Sequence, residues 1–216
     1  MRKLNISEVL MLQNYEIRAR AWSAMSGKWG NCAIIVLVYY ILMMGLSFIP
    51  IIGSVGTILV SGPFSLGLAI IFLRLVRSES IDIGMLFKGF EDFMRSFVAG
   101  LLVAIYTLLW TLLLIVPGII ASLSYSMTFF ILSDNPNIGP DEAIGKSKEM
   151  MRGHKMELLL LTLSFFGWFL LGLVTVGIGF LWIGSYYSAA MAVFYQEIRG
   201  ENAIEEAPYV PFEQNA

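Results

Sequence analysis

The chain has 216 residues, of which 57% are apolar or aromatic and only 14% are charged; its formal net charge is −2 and its mean hydropathy is +0.76. A soluble domain carries about 25% charged residues to stay dispersed, so a soluble enzyme is excluded, and so much apolar surface is stable only against lipid. The same figures exclude disorder and a polyanion-binding face, and a single cysteine, Cys32, excludes an intramolecular disulfide framework and a multi-thiolate zinc module.

Residues 1–30 form a cytoplasmic amphipathic segment. From Ser7 to Ser26 the apolar residues Val9, Leu12, Ile17 and Trp22 recur at helical spacing, and Trp29 follows at headgroup depth. Arg18, Arg20 and Lys28 interrupt this stretch, so it lacks the apolar core of a cleavable signal. Cys32 to Leu73 then runs for 42 residues without a charge. One helix of that length would overshoot a bilayer core of about 30 Å, so the stretch must fold back, and Ile49-Pro50-Ile51-Ile52-Gly53 supplies the break.

Ser80 to Phe97 predicts a second amphipathic helix, capped by Ser80, with Ile83, Leu86, Phe87, Phe90, Phe93, Met94 and Phe97 on its apolar face. A second charge-free stretch, Phe97 to Leu132, folds back at Val116-Pro117-Gly118. Pro140 to Arg152 predicts a third amphipathic helix, with Asp141 and Glu142 in its first turn and Lys148 and Arg152 in its last, matching the helix dipole before Gly153 ends it. The third charge-free stretch, Leu158 to Gln196, turns at Val174 to Gly179, and the acidic tail 201–216 is expected to be disordered.

The expected fold class is all-α: a polytopic membrane protein of residues 31–200 with six transmembrane helices in three hairpins (31–76, 97–132 and 157–197), each preceded by an inner-leaflet helix. The hairpins read as copies of one unit, because Gly27, Gly89 and Gly153 lie 62 and 64 residues apart and the turn glycines Gly53, Gly118 and Gly177 lie 65 and 59 apart. All 14 lysines and arginines and all 16 acids fall outside the charge-free stretches. The positive-inside rule therefore places both termini in the cytoplasm of a bacterial cytoplasmic membrane.

Chemistry inside the bilayer would need ionisable groups, and the charge-free stretches hold none, so no catalytic, metal-binding or cofactor-binding residue is assigned. Small residues recur four apart in the second helix of each hairpin: Ser61 and Ser65, Ser122 and Ser126, Gly184 and Ser188. They suit close helix packing, or alternatively line a path for a lipid or small solute with Tyr125, Tyr186, Tyr187 and Tyr195 beside it. Lys28, Arg74, Arg77, Arg95, His154 and Lys155 are candidate lipid-headgroup contacts beside the hairpins.

The blocks Leu132-Ser133-Asp134-Asn135-Pro136, Glu142-Ala143-Ile144, Ser147-Lys148, Gly153-His154-Lys155, and Leu163-Ser164-Phe165 with Gly167-Trp168 carry a family likeness, as do Ser61-Gly62-Pro63, Ser65 to Ala69, and Pro117-Gly118-Ile119-Ile120. On these residues the chain resembles, from about residue 15 to 199, the bacterial integral membrane proteins grouped as domain of unknown function 975. The resemblance implies a membrane fold and no agreed activity. The hairpin pattern is also similar to the membrane domain attached to some glycerophosphodiester phosphodiesterases. The expected function is a non-enzymatic component that binds membrane lipid, a membrane protein partner or a second copy, in envelope homeostasis or complex assembly, with no nucleic acid and no cofactor. The alternatives are a passive or lipid-translocating transporter and an accessory membrane domain to a lipid-active enzyme.

Overall fold

The computed structural model describes residues 6–48, 52–175, 177 and 179–205. These form α1 (Ile6–Met25), α2 (Trp29–Ser47), α3 (Ile52–Val76), a 3-10 helix (Ile83–Phe90), α4 (Phe93–Leu113), α5 (Ile115–Tyr125), α6 (Thr128–Asp134), α7 (Pro140–Met150), α8 (Lys155–Ser164), α9 (Phe166–Val174) and α10 (Gly179–Glu205). No strand occurs among the described residues. Among the described residues, four spans are long and apolar enough to cross a membrane: Trp29–Leu46, Gly56–Val76, Phe93–Leu113 and Ile115–Asp134, with mean hydropathies of 1.9, 2.0, 2.1 and 1.8. Both helices expected over 157–197 fall outside that set for local reasons. Phe165 separates α8 from α9, and α10 carries Ser185, Tyr186, Tyr187 and Ser188 in its middle.

The fold-backs follow the sequence with shifts. Around the first, α2 ends at Ser47 and α3 starts at Ile52; Ile49, Pro50 and Ile51 lie outside the described residues. The second sits earlier than Val116-Pro117-Gly118. Leu114 alone is extended (φ −163°, ψ 147°), and Pro117 lies in the first turn of α5, where its missing N–H leaves no helical acceptor unserved. Gly118 brings α5 onto α4, because a Cβ there would overlap the Thr111 side chain. At the third, Gly177 takes φ +88° and its N–H reaches Gly172 O at 3.1 Å; Val176 and Ile178 lie outside the described residues. Left-handed glycines also follow α1 (Gly27, φ +73°) and α7 (Gly153, φ +88°). Gly89, expected to be their counterpart, serves a different purpose.

The segment before α4 departs most from expectation. In place of an α-helix from Ser80, a 3-10 helix starts after Asp82, whose carboxylate accepts from Gly84 N at 2.9 Å. It packs backbone to backbone on α3: a Cβ on Gly67 would overlap the Leu86 carbonyl, and one on Gly89 would overlap the Pro63 carbonyl. Further along, a Cβ on Gly62 would overlap Ser96 O, and one on Gly100 would stand 2.9 Å from Gly62 Cα. Glycines on both partners thus draw the segment into the bundle, and burial there outweighs a one-sided surface position.

The span 115–134 is also divided, at Ser126 and Met127. α7 fills the gap. Its buried Ser147 donates to Ser124 O at 2.8 Å and accepts from Met127 N at 3.2 Å, satisfying two backbone groups released by the break. α7 therefore packs among α4, α5 and α6 as well as carrying an exposed polar face.

Burial orders the helices. The α3 span is 56% buried and the 115–134 span 44%, against 22% for α2 and 11% for α4, so the second members of these two pairs lie inward and the first outward. α3 packs on α4, α6 and α10, and α10 packs on α1, α2, α3 and α9. Ala189, Ala190, Ala192 and Val193 of α10 are fully buried, as are Ile17, Ala21 and Met25 of α1. α10 extends to Glu205, into the segment expected to be disordered; residues 206–216 lie outside the described residues.

Candidate functional site

Two helix ends and the flank of a third helix converge on one carboxylate. Asp134 closes α6, and its side chain is only 6% exposed. Its Oδ2 accepts from Arg77 Nη2 just past α3 (2.7 Å), from Tyr195 Oη of α10 (3.1 Å), and from Arg199 Nη1 of α10. That hydrogen bond is the largest cause holding the Arg77 guanidinium above its ordinary pKa. Two cations on one anion leave the cluster net positive, with Arg77 and Arg199 partly open to solvent.

Arg95 caps the same helix end. It donates to Leu132 O at 2.8 Å, to Asn135 O at 3.2 Å and to Pro136 O, taking up carbonyls that the end of α6 leaves without helical partners. Asp92 lies 3.1 Å from Arg95 Nε as an ion pair without hydrogen-bond geometry.

The remaining candidate headgroup contacts form two smaller groups. Lys28 Nζ donates to Glu79 O at 3.1 Å and Arg74 Nε stands 3.6 Å from Glu79 Oε2, so both gather at the turn after α3. His154 Nδ1 lies 2.9 Å from Glu157 Oε2, and Lys155 opens α8 beside it.

The small-residue row is not collected on one axis. Ser61 and Ser65 line a cavity of about 450 Å³ between α3 and α4, together with Gly62, Gly100, Thr107 and Thr111. Ser122, Ser126, Gly184 and Ser188 are absent from its lining. Ser61, Ser122 and Ser126 each return a hydrogen bond to the carbonyl three residues earlier, at 3.0, 2.8 and 2.8 Å, so these hydroxyls already have acceptors within their own helices. Gly184 faces Val36 and Tyr40 of α2, and Ser188 is half-buried in α10.

Sequence reasoning did not single out Asp134 or Arg199, and it took Tyr195 for a path or headgroup residue. The trace they leave is one of position alone: Asp134 and Arg199 stand two and three residues past the ends of charge-free stretches.

No curated protein and no solved structure matches the chain. The family model described as a protein of unknown function (DUF975) matches it twice, over residues 11–124 and 112–202. Those two matches overlap and together take in α2 through most of α10, so the chain belongs to the DUF975 family of proteins of unknown function.

Proposed function

We propose that this protein crosses the bacterial cytoplasmic membrane six times as three related hairpins, with both termini cytoplasmic, and acts there without catalysis by holding lipid or a membrane partner. One observation carries this reading: apolar fold-back ends opposite a concentration of cations. Phe48, Leu112 and Val174, beside the three fold-backs, are 79%, 74% and 79% exposed, which suits hydrocarbon or its edge. Asp134, Arg77 and Arg95 gather at the other ends of α6, α3 and α4, joined by Arg199 from the side of α10, where anionic headgroups would be met. Envelope homeostasis or assembly of another complex is the role such a scaffold suits.

The experiment is reconstitution of the full chain into vesicles of phosphatidylethanolamine and phosphatidylglycerol. Lipid that co-purifies and survives detergent exchange, with no flux of solute or lipid, supports the binding reading. Flux that vanishes on Ser61→Leu and Ser65→Leu, which line the cavity between α3 and α4, would replace it with the transporter reading. An accessory role to a lipid-active enzyme would show as a change in that enzyme's rate on adding the chain.

A further inference from the structure

Away from the Asp134 cluster, α1 carries two polar side chains with unmet hydrogen-bonding atoms one helical turn apart. Asn14 is only 8% exposed, and its Oδ1 is buried without a partner. The Nε of half-buried Arg18 is likewise buried without a partner, and no carboxylate among the described residues pairs with that guanidinium. Its guanidinium carbon stands 5.8 Å from the centroid of the Phe165 ring. Such a cation normally finds an anion, and a buried amide oxygen normally finds a donor, because leaving either unmet costs stability. The two could pair with each other at this spacing, but both atoms are unpaired here.

Position narrows the missing partner. α1 crosses α10 with Arg20 paired to Glu197 and the Arg18 carbonyl accepting from Tyr186 Oη at 3.1 Å. Eleven residues separate Tyr186 from Glu197, about 16 Å along the helix, so Arg18 lies on the side of α1 that faces the α9–α10 fold-back. Tyr186 is ringed by Trp22, Trp29 and Trp168 at centroid distances of 5.6, 6.2 and 6.4 Å, so aromatic rings wall the crossing of α1 and α10 beside Arg18. The carboxylate of Glu157, on α8, lies 3.5 Å from Gln13 Nε2, beside Asn14.

We propose that Asn14 and Arg18 hold a phospholipid headgroup, its phosphate on the Arg18 guanidinium and its terminal N–H or O–H donor on the Asn14 carbonyl oxygen. Ethanolamine and glycerol headgroups supply both groups; choline supplies the phosphate and no donor. The neighbouring Glu157 carboxylate adds a preference for an ammonium. This rests on the lipid-binding reading above and names its ligand and its site.

The test is competition for the purified, delipidated full chain among equimolar phosphatidylethanolamine, phosphatidylglycerol and phosphatidylcholine in detergent, read by native mass spectrometry. The wild type should retain the first two about tenfold over the third. Asn14→Leu should bring that ratio to about one, and Arg18→Gln should reduce retention of all three. Photo-crosslinking of the unaltered chain with a headgroup-labelled phosphatidylethanolamine should mark peptides of α1 and α8, which covers the case of a variant that does not fold. Displacement of lipid by millimolar inorganic phosphate would show a free-anion site and overturn the proposal. Equal retention of the three lipids, or retention unchanged in both variants, would overturn the site while leaving lipid binding intact. Retention of none would remove lipid binding itself.

Discussion

Asp134 and Arg77 are 57 residues apart in sequence and 2.7 Å apart in space, joining the end of α6 to the residue just past α3. The same oxygen receives Tyr195 and Arg199 of α10, so one carboxylate ties together three helices from three different parts of the chain. Asp134→Ala should lower stability by about 1–3 kcal/mol, a range discounted from that of a fully buried pair because both arginines are partly exposed. Melting temperatures of Asp134→Ala, Arg77→Gln and the double variant check this. The double variant should lose clearly less than the sum of the singles, and additivity would show that the pair does not act as a unit.

Glycine contacts set a second, sharper contrast. Gly67→Ala and Gly89→Ala would press a methyl into a carbonyl of the facing backbone and should each cost about 1–3 kcal/mol or more. Gly145→Ala, in α7 with open space around it, should instead stabilise that helix by up to about 1 kcal/mol. Thermal unfolding in one detergent ranks the three, and a harmless Gly67→Ala would mean that α3 and the 3-10 helix do not approach this closely.

Ser147→Ala removes one hydroxyl and strands two backbone groups, Ser124 O and Met127 N. A loss of about 1–3 kcal/mol is expected, together with faster amide exchange at Met127. Unchanged exchange there would place α7 elsewhere.

Helix positions were largely legible, since charge-free stretches, proline and glycine breaks and acid-to-base order across α7 each leave a pattern in composition. Two features were not. The 3-10 helix depends on Gly67 of α3, 19 residues before its contact at Leu86, and the division of 115–134 at Met127 depends on Ser147, so neither has a local signal. Among the candidate contacts, Arg77 and Arg95 were readable as cations at a membrane edge. Asp134, which binds Arg77, was not, because a carboxylate that ends a helix looks the same in sequence whether it meets water or three donors.

The crossing pattern is tested most directly by single-cysteine labelling in intact cells, on a Cys32→Ala background, with a reagent that does not permeate membranes. Phe48→Cys, Leu114→Cys and Thr175→Cys, at the fold-backs, should react from outside, and Ser80→Cys and Gly139→Cys should react only after the membrane is opened. A fold-back position reactive only from the cytosol, or Ser80 and Gly139 on opposite faces, would contradict the six-crossing account.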